Sequence, residues 1–162
     1  MNEIDHGALA EQYFLAGRGC CQAILTAFAP ELGLDEQTAL RLASPFGGGM
    51  GRLREVCGVF TGACMVLGLL HGDYDPRDQA AKTAQYERVQ KMAAAFRKQN
   101  GSILCRELLG LPGASAPTPE VRTGDYYKRR PCAGYVRVGG EILDRYLRTG
   151  SFESNENEVN DK

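Results

Sequence analysis

Apolar residues recur at helical spacing along most of the chain, and turn residues punctuate them. Leu9, Tyr13 and Phe14 share one face of a helix predicted over 3–16, which Gly17 ends. Ile24, Leu25 and Phe28 mark a second helix that starts near Gly19-Cys20-Cys21 and closes at Pro30 and Gly33. Asp35 is an N-cap for a third helix through Ala43, with Thr38 at the capping-box position but no Glu or Gln there. Tyr86, Val89, Met92, Ala93 and Phe96 form the stripe of the longest helix, which runs from near Pro76 to about Gln99. Arg88, Lys91, Arg97 and Lys98 face away from that stripe, and Gly101 is its C-cap. Ser102 caps a short helix over Ile103–Leu109. Pro131-Cys132 opens a last helix to about Arg148, whose buried side carries Ile142, Leu143, Tyr146 and Leu147.

Between the third helix and the longest one lies the stretch Ala43–Gly72, around which the rest is organised. Gly47, Gly48, Gly49 and Gly51 follow Pro45 and Phe46, and the nearly unbroken apolar run Cys57–Leu70 comes next. The run is shorter than the roughly 20 residues that span a bilayer. It carries no charge and is too long for an ordinary strand, so it reads as a central helix buried on all sides. Gly58, Gly62 and Gly68 each cost that helix about 1 kcal/mol of intrinsic propensity. The cost is reasonable where other helices approach closely.

Residues 110–131 contain four prolines and three glycines. A connection of that length without structure is functional or mobile, and in an interaction module it would be the partner surface. The tail 151–162, with four acids against one lysine, is expected to be disordered. Tyr135–Val138 is the one strand-like piece. The fold class is therefore all-α: a compact single-domain multi-helix bundle over residues 1–150, around the buried glycine-containing helix.

Charge narrows the function. The net charge is −1 over 162 residues, which offers nothing to nucleic acid or to an anionic membrane surface. The opening residues read as a soluble helix rather than a leader, so the expected compartment is the cytoplasm, with no membrane insertion. Six cysteines in a reducing compartment point away from a disulfide framework and toward metal or redox roles.

Four of these cysteines, Cys21, Cys57, Cys105 and Cys132, fall at predicted helix N-termini. There the helix dipole and free N–H groups favour a thiolate. Cys57 and Cys64 stand about 10.5 Å apart along one helix. Two sulfurs on one zinc are only about 4 Å apart, from a Zn–S distance near 2.3 Å, so these two cannot share one ion, and Cys64 is assigned to the core. Cys20 and Cys21 point about 100° apart on a helix, so only one faces a site. No Cys-x₂-Cys pair exists, and any site is assembled from distant segments.

These segments resemble the redox-active family labelled C_GCAxxG_C_C. The signature reads Cys57-Gly58-Val59-Phe60-Thr61-Gly62, after the glycine-rich FGGGMGR, with Val59 where alanine is expected. GCCQAILTAF around Cys21, CRELLG at Cys105, and Cys132 before the last helix carry the rest of the likeness, over roughly residues 8–135. Cys20 and Cys64 are additional to the four-cysteine pattern. The resemblance implies redox activity and an association with transporter loci, and it names no reaction or substrate.

Two chemistries fit four converging thiols. One is an iron–sulfur cluster or zinc held by Cys21, Cys57, Cys105 and Cys132, with the backbone of Gly47, Gly48, Gly49, Gly51, Gly58 and Gly62 around the site. The other is metal-free thiol–disulfide exchange with a redox partner. Four thiols match a four-coordinate site, whereas exchange needs two. The alternative class is a non-enzymatic interaction module that accompanies a transporter and whose cysteines are structural; a homodimer is a further expected partnership. The glycine loop with Arg52 and Arg54 could serve as an anion nest but lacks a P-loop or dinucleotide motif. His71 reads as a helix end, Lys128–Arg130 as a solvated face that could also lower the pKa of Cys132, and Met50, Met65 and Met92 as core.

Overall fold

Aspartate side chains start three of the helices that the apolar pattern predicts. The computed structural model describes residues 3–155. In chain order it contains α1 (His6–Leu15), α2 (Cys20–Phe28), α3 (Glu36–Ala43), a single turn α4 (Gly47–Met50), α5 (Gly58–His71), α6 (Gln79–Asn100), α7 (Cys105–Leu109), α8 (Gly124–Arg129) and α9 (Cys132–Thr149). Asp5 accepts from the Ala8 N–H at 2.8 Å, Asp35 from Thr38 at 2.9 Å and Asp78 from Ala81 at 3.0 Å. Each satisfies one of the free N–H groups of a first turn. The fold is all-α, and among the described residues no helix is long and apolar enough to cross a membrane.

The centre is the crossing of α2 and α5, with α1 and α3 against α2, and with α6 and α9 closing over the pair. A Cβ on Gly62 would stand 2.9 Å from Ile24 Cβ, so that glycine sets how closely the two helices approach. Ile24, Leu25, Phe28, Leu67, Met92, Phe96, Ile142 and Leu143 are fully buried between the layers. Each large side chain so buried contributes about 1.5–3 kcal/mol. The glycine-bearing α5 is one half of this centre, but it is not enclosed on every side: Leu69 is exposed and several neighbours are half-buried. Its partner α2 is the more enclosed, with every residue from Ala23 to Phe28 buried.

A buried polar contact pins α1 to α9. His6 Nδ1 lies 2.6 Å from Asp144 Oδ1, and the His6 backbone N–H donates to Asp144 Oδ2 at 2.9 Å. The imidazole stacks on Phe28, with centroids 4.3 Å apart. Burial pulls the His6 pKa down, but the bond to Asp144 and the charges of Asp144 and Glu31 more than offset it, so the net shift is upward.

Several local expectations are corrected. Ile103 and Leu104 are not helical: Val56 and Leu104 form an antiparallel bridge, because the backbone of 54–57 pairs with 103–106. Tyr135–Val138 lies within α9. Met50 is 43 % exposed rather than core, since it sits in the left-handed turn with φ 65°. Residues 110–131 include α8 and are tied down across the molecule, as described below. The expected disordered tail begins too early at 151. Phe152 is buried, stacks on Tyr146 at 4.2 Å, and accepts at its carbonyl from Arg145 Nη1. The remainder of that tail, 156–162, lies outside the described residues.

Candidate functional site

The glycine turn builds the floor. Gly48, Gly49, Met50, Gly51, Arg52 and Arg54 all have φ between 57° and 69°, a region that costs a side-chain-bearing residue of order 1 kcal/mol or more. A Cβ on Gly49 would stand 2.5 Å from Cys105 Cβ. Glycine there lets α7 press its first residue onto the turn. The turn then runs into the bridge. The Cys57 N–H donates to Ile103 O and the Cys105 N–H to Glu55 O, each at 2.7 Å. Cys57 is the N-cap of α5 and Cys105 the first residue of α7, so this short pairing brings two helix starts side by side.

Cys20 and Cys132, the first residues of α2 and α9, complete the arrangement. Cys20, Cys57, Cys105 and Cys132 line one cavity of about 290 Å³. A Cβ on Gly58 would collide with Cys20 Sγ and stand 2.9 Å from Phe46 O, so Gly58 makes the room that Cys20 uses. Gly47, Gly48, Gly51 and Gly58 are on the cavity wall. Gly49 packs behind Cys105, and Gly62 sits away at the α2–α5 crossing.

The structure therefore puts Cys20 on the cavity where Cys21 was expected. Cys21 turns the other way, fully buried, and its thiol donates to Met65 Sδ at 3.9 Å. The reason is the helix period: Cys21, Ile24, Leu25 and Phe28 form one apolar stripe, and Cys20 lies about 100° off it. Cys64 is half-buried against the core near Cys21. His71 is the last residue of α5 and lies with Nε2 2.8 Å from the Tyr146 hydroxyl, away from the cavity.

Burial, rather than the helix dipole, dominates the thiols. It pushes Cys132 up to about 12, with the charges of Cys20 and Cys105 adding to the rise and those of Arg130 and Arg122 opposing it. Burial raises Cys57 well above its ordinary value, and Cys20 also rises despite a Gly48 N–H that favours its anion. The expectation of easily formed thiolates at these helix starts is thus corrected for Cys21, Cys57 and Cys132. Desolvation of the anion and mutual repulsion outweigh the partial charge of a helix end.

Cys105 differs from the other three in one contact. Arg54 Nη1 donates to Cys105 Sγ at 3.5 Å, while Arg54 Nε donates to Ser115 Oγ at 2.9 Å. Arg54 is only 4 % exposed. The sequence marks it only as part of a glycine-rich anion nest, and its role as a partner of Cys105 emerges from the fold.

The segment after α7 roofs the cavity. The Ser115 N–H donates to Arg52 O at 2.9 Å and Arg52 Nε donates to Ala116 O at 2.6 Å. Arg122 Nη1 donates to Phe14 O and Arg18 O, at 2.9 and 3.1 Å, with its guanidinium 4.4 Å above the Phe14 ring. Arg130, expected on a solvated face, is mostly buried and pairs with Glu120 at 2.9 Å; Arg129 beside it does remain largely exposed. Among the described residues, no group of three or more His, Cys, Asp and Glu is gathered closely enough to hold a metal ion.

Helix-start cysteines on a glycine-floored cavity define a thiol-centred helical protein. Residues 19–146 match the family described as "Putative redox-active protein (C_GCAxxG_C_C)", and the chain belongs to that family. No curated protein and no solved structure matches it.

Proposed function

We propose that this protein carries out thiol–disulfide exchange, with Cys105 as the attacking sulfur and Cys20, Cys57 and Cys132 on the same wall to resolve. The observation that carries this reading is the buried Arg54 guanidinium, 3.5 Å from Cys105 Sγ inside a cavity with three further thiols. A cation beside a sulfur favours its anionic, nucleophilic form. The other cavity thiols lack such a guanidinium contact, and burial pushes their pKa values up. Cys105 attacks one sulfur of a disulfide, and that S–S bond breaks. The leaving thiolate takes a proton, and a mixed disulfide remains on Cys105. A second cavity cysteine loses its proton and attacks Cys105 Sγ, which releases the second thiol and closes an intramolecular disulfide. Two electrons pass from the two cysteines to the substrate.

A second reading draws on the same donors. An all-thiol set suits an iron–sulfur cluster or zinc, and the four cysteines come from four different helices. Their spacing does not fit a single ion, whereas a polynuclear centre has the 290 Å³ cavity to occupy. Cys20, Cys57, Cys105 and Cys132 would then hold it, and it would supply one-electron transfer.

One preparation separates the readings. Protein purified without oxygen is assayed for iron and acid-labile sulfide, then mixed while reduced with excess 2-hydroxyethyl disulfide and quenched for intact mass. The exchange reading expects no bound sulfide and a mixed disulfide that is lost in Cys105→Ser but retained in Cys21→Ser. Unchanged kinetics in Cys105→Ser contradict it. Stoichiometric iron and sulfide, lost on substituting a cavity cysteine, establish the cluster instead.

A further inference from the structure

The charge on the cavity wall is out of proportion to that of the chain. We infer that the cavity takes a small disulfide or thiol bearing a carboxylate or another anionic group, an inference that rests on the exchange reading above. Four guanidinium groups line the wall, Arg52, Arg54, Arg122 and Arg130, with one carboxylate, Glu120. Arg130 and Glu120 pair and cancel. Among the described residues Arg52, Arg54 and Arg122 form no ion pair with a carboxylate. Three guanidinium groups without an ion-pair partner therefore line one cavity in a chain of net charge −1. Arg54 is engaged by Cys105 Sγ, which leaves Arg52 and Arg122.

Their settings hold the charges in place without neutralising them. Arg52 and Arg122 are fixed by backbone carbonyls, at 2.6 Å to Ala116 O and at 2.9 and 3.1 Å to Phe14 O and Arg18 O. Arg122 is further stacked on Phe14. Arg54, buried and aimed at Cys105, completes the set. Guanidinium groups fixed in this way are suited to carboxylates and similar planar anions. The cavity volume of about 290 Å³ is at the small end for ligand pockets. It admits a low-molecular-weight compound with a short carbon skeleton against Phe14 and Val59, rather than a loop of another protein.

The reaction is the exchange described above, with the anionic disulfide RSSR accepting two electrons and two protons and leaving as two RSH. The test compares three short disulfides on the reduced full chain without oxygen: dithiodiglycolate (anionic), 2-hydroxyethyl disulfide (neutral) and cystamine (cationic). Rates of mixed-disulfide formation are read by quench and intact mass, each normalised to its rate with a free thiol in solution. The expected order is anion, neutral, cation, with the anion ahead of the neutral compound by about tenfold or more at low salt. The lead shrinks as salt rises. Arg122→Gln shrinks it further and Arg122→Lys preserves most of it. Circular dichroism checks that Arg122→Gln is folded; if it is not, Arg52→Gln and the salt series decide. Equal normalised rates, or a lead that survives both Gln variants and high salt, overturn the inference while leaving the exchange reading intact. If none of the three reacts, the exchange reading itself falls and this inference with it.

Discussion

Cys20 and Cys21 are chain neighbours with the same side chain and opposite surroundings. Cys21 continues the stripe of Ile24, Leu25 and Phe28 into the core, and Cys20 meets the cavity. The period of that stripe was legible in the sequence and sets the two about 100° apart, but the sequence pointed to Cys21 for the site and it is Cys20 that reaches it. Arg54 was not legible as a partner of Cys105: its contact spans 51 positions and depends on a positive φ of 61°. No local pattern encodes either feature. Glycines give a direct test at this scale. Gly58→Ala puts a Cβ against Cys20 Sγ and within 2.9 Å of a backbone carbonyl. It is expected to destabilise the protein by about 1–3 kcal/mol despite the better helix propensity of alanine. Gly68→Ala, with nothing within 4 Å of the added carbon, is expected instead to stabilise by up to about 1 kcal/mol. Urea denaturation of both variants checks the contrast, and a stabilised Gly58→Ala would contradict the close approach of Cys20.

Among the elements, the long periodic helices were legible because a buried stripe and a capping aspartate are both local signals. The 54–57 and 103–106 pairing was not, since one bridge is too short to alternate. The roof over 110–131 was not either. Its order comes from Arg52, Arg54 and Arg122 reaching distant backbone and hydroxyl groups, while its proline content reads as loop. The α1–α9 contact carries a pH signature. The His6 pKa is raised in the folded protein, so the protonated pair with Asp144 contributes its full stability below the unfolded value near 6.5. That contribution is lost as the pH rises through the folded value. The stability gap between the wild type and Asp144→Asn, measured by urea midpoints across this range, is expected to be largest at the acidic end and to narrow as pH rises. A remainder persists where the His6 backbone N–H still donates to Asp144. A gap that widens with pH would contradict the assignment.

At the scale of the whole molecule, four helix starts from distant parts of the chain meet at one cavity. A glycine turn floors it, a segment pinned by arginines roofs it, and Cys21 and Cys64 are left on the far side of α2 and α5. Sequence spacing identified the helix starts. Only the fold, through the bridge beside Cys57 and the room left by Gly58, shows them sharing a wall. Disulfide mapping tests this most directly: reduced, natively folded protein is oxidised with one equivalent of a neutral disulfide, alkylated, digested and mapped by mass spectrometry. Cross-links are expected only among Cys20, Cys57, Cys105 and Cys132, with Cys105 in the first to form and Cys21 and Cys64 recovered alkylated only after unfolding. A first disulfide that includes Cys21 or Cys64, or one that excludes Cys105, would contradict this arrangement.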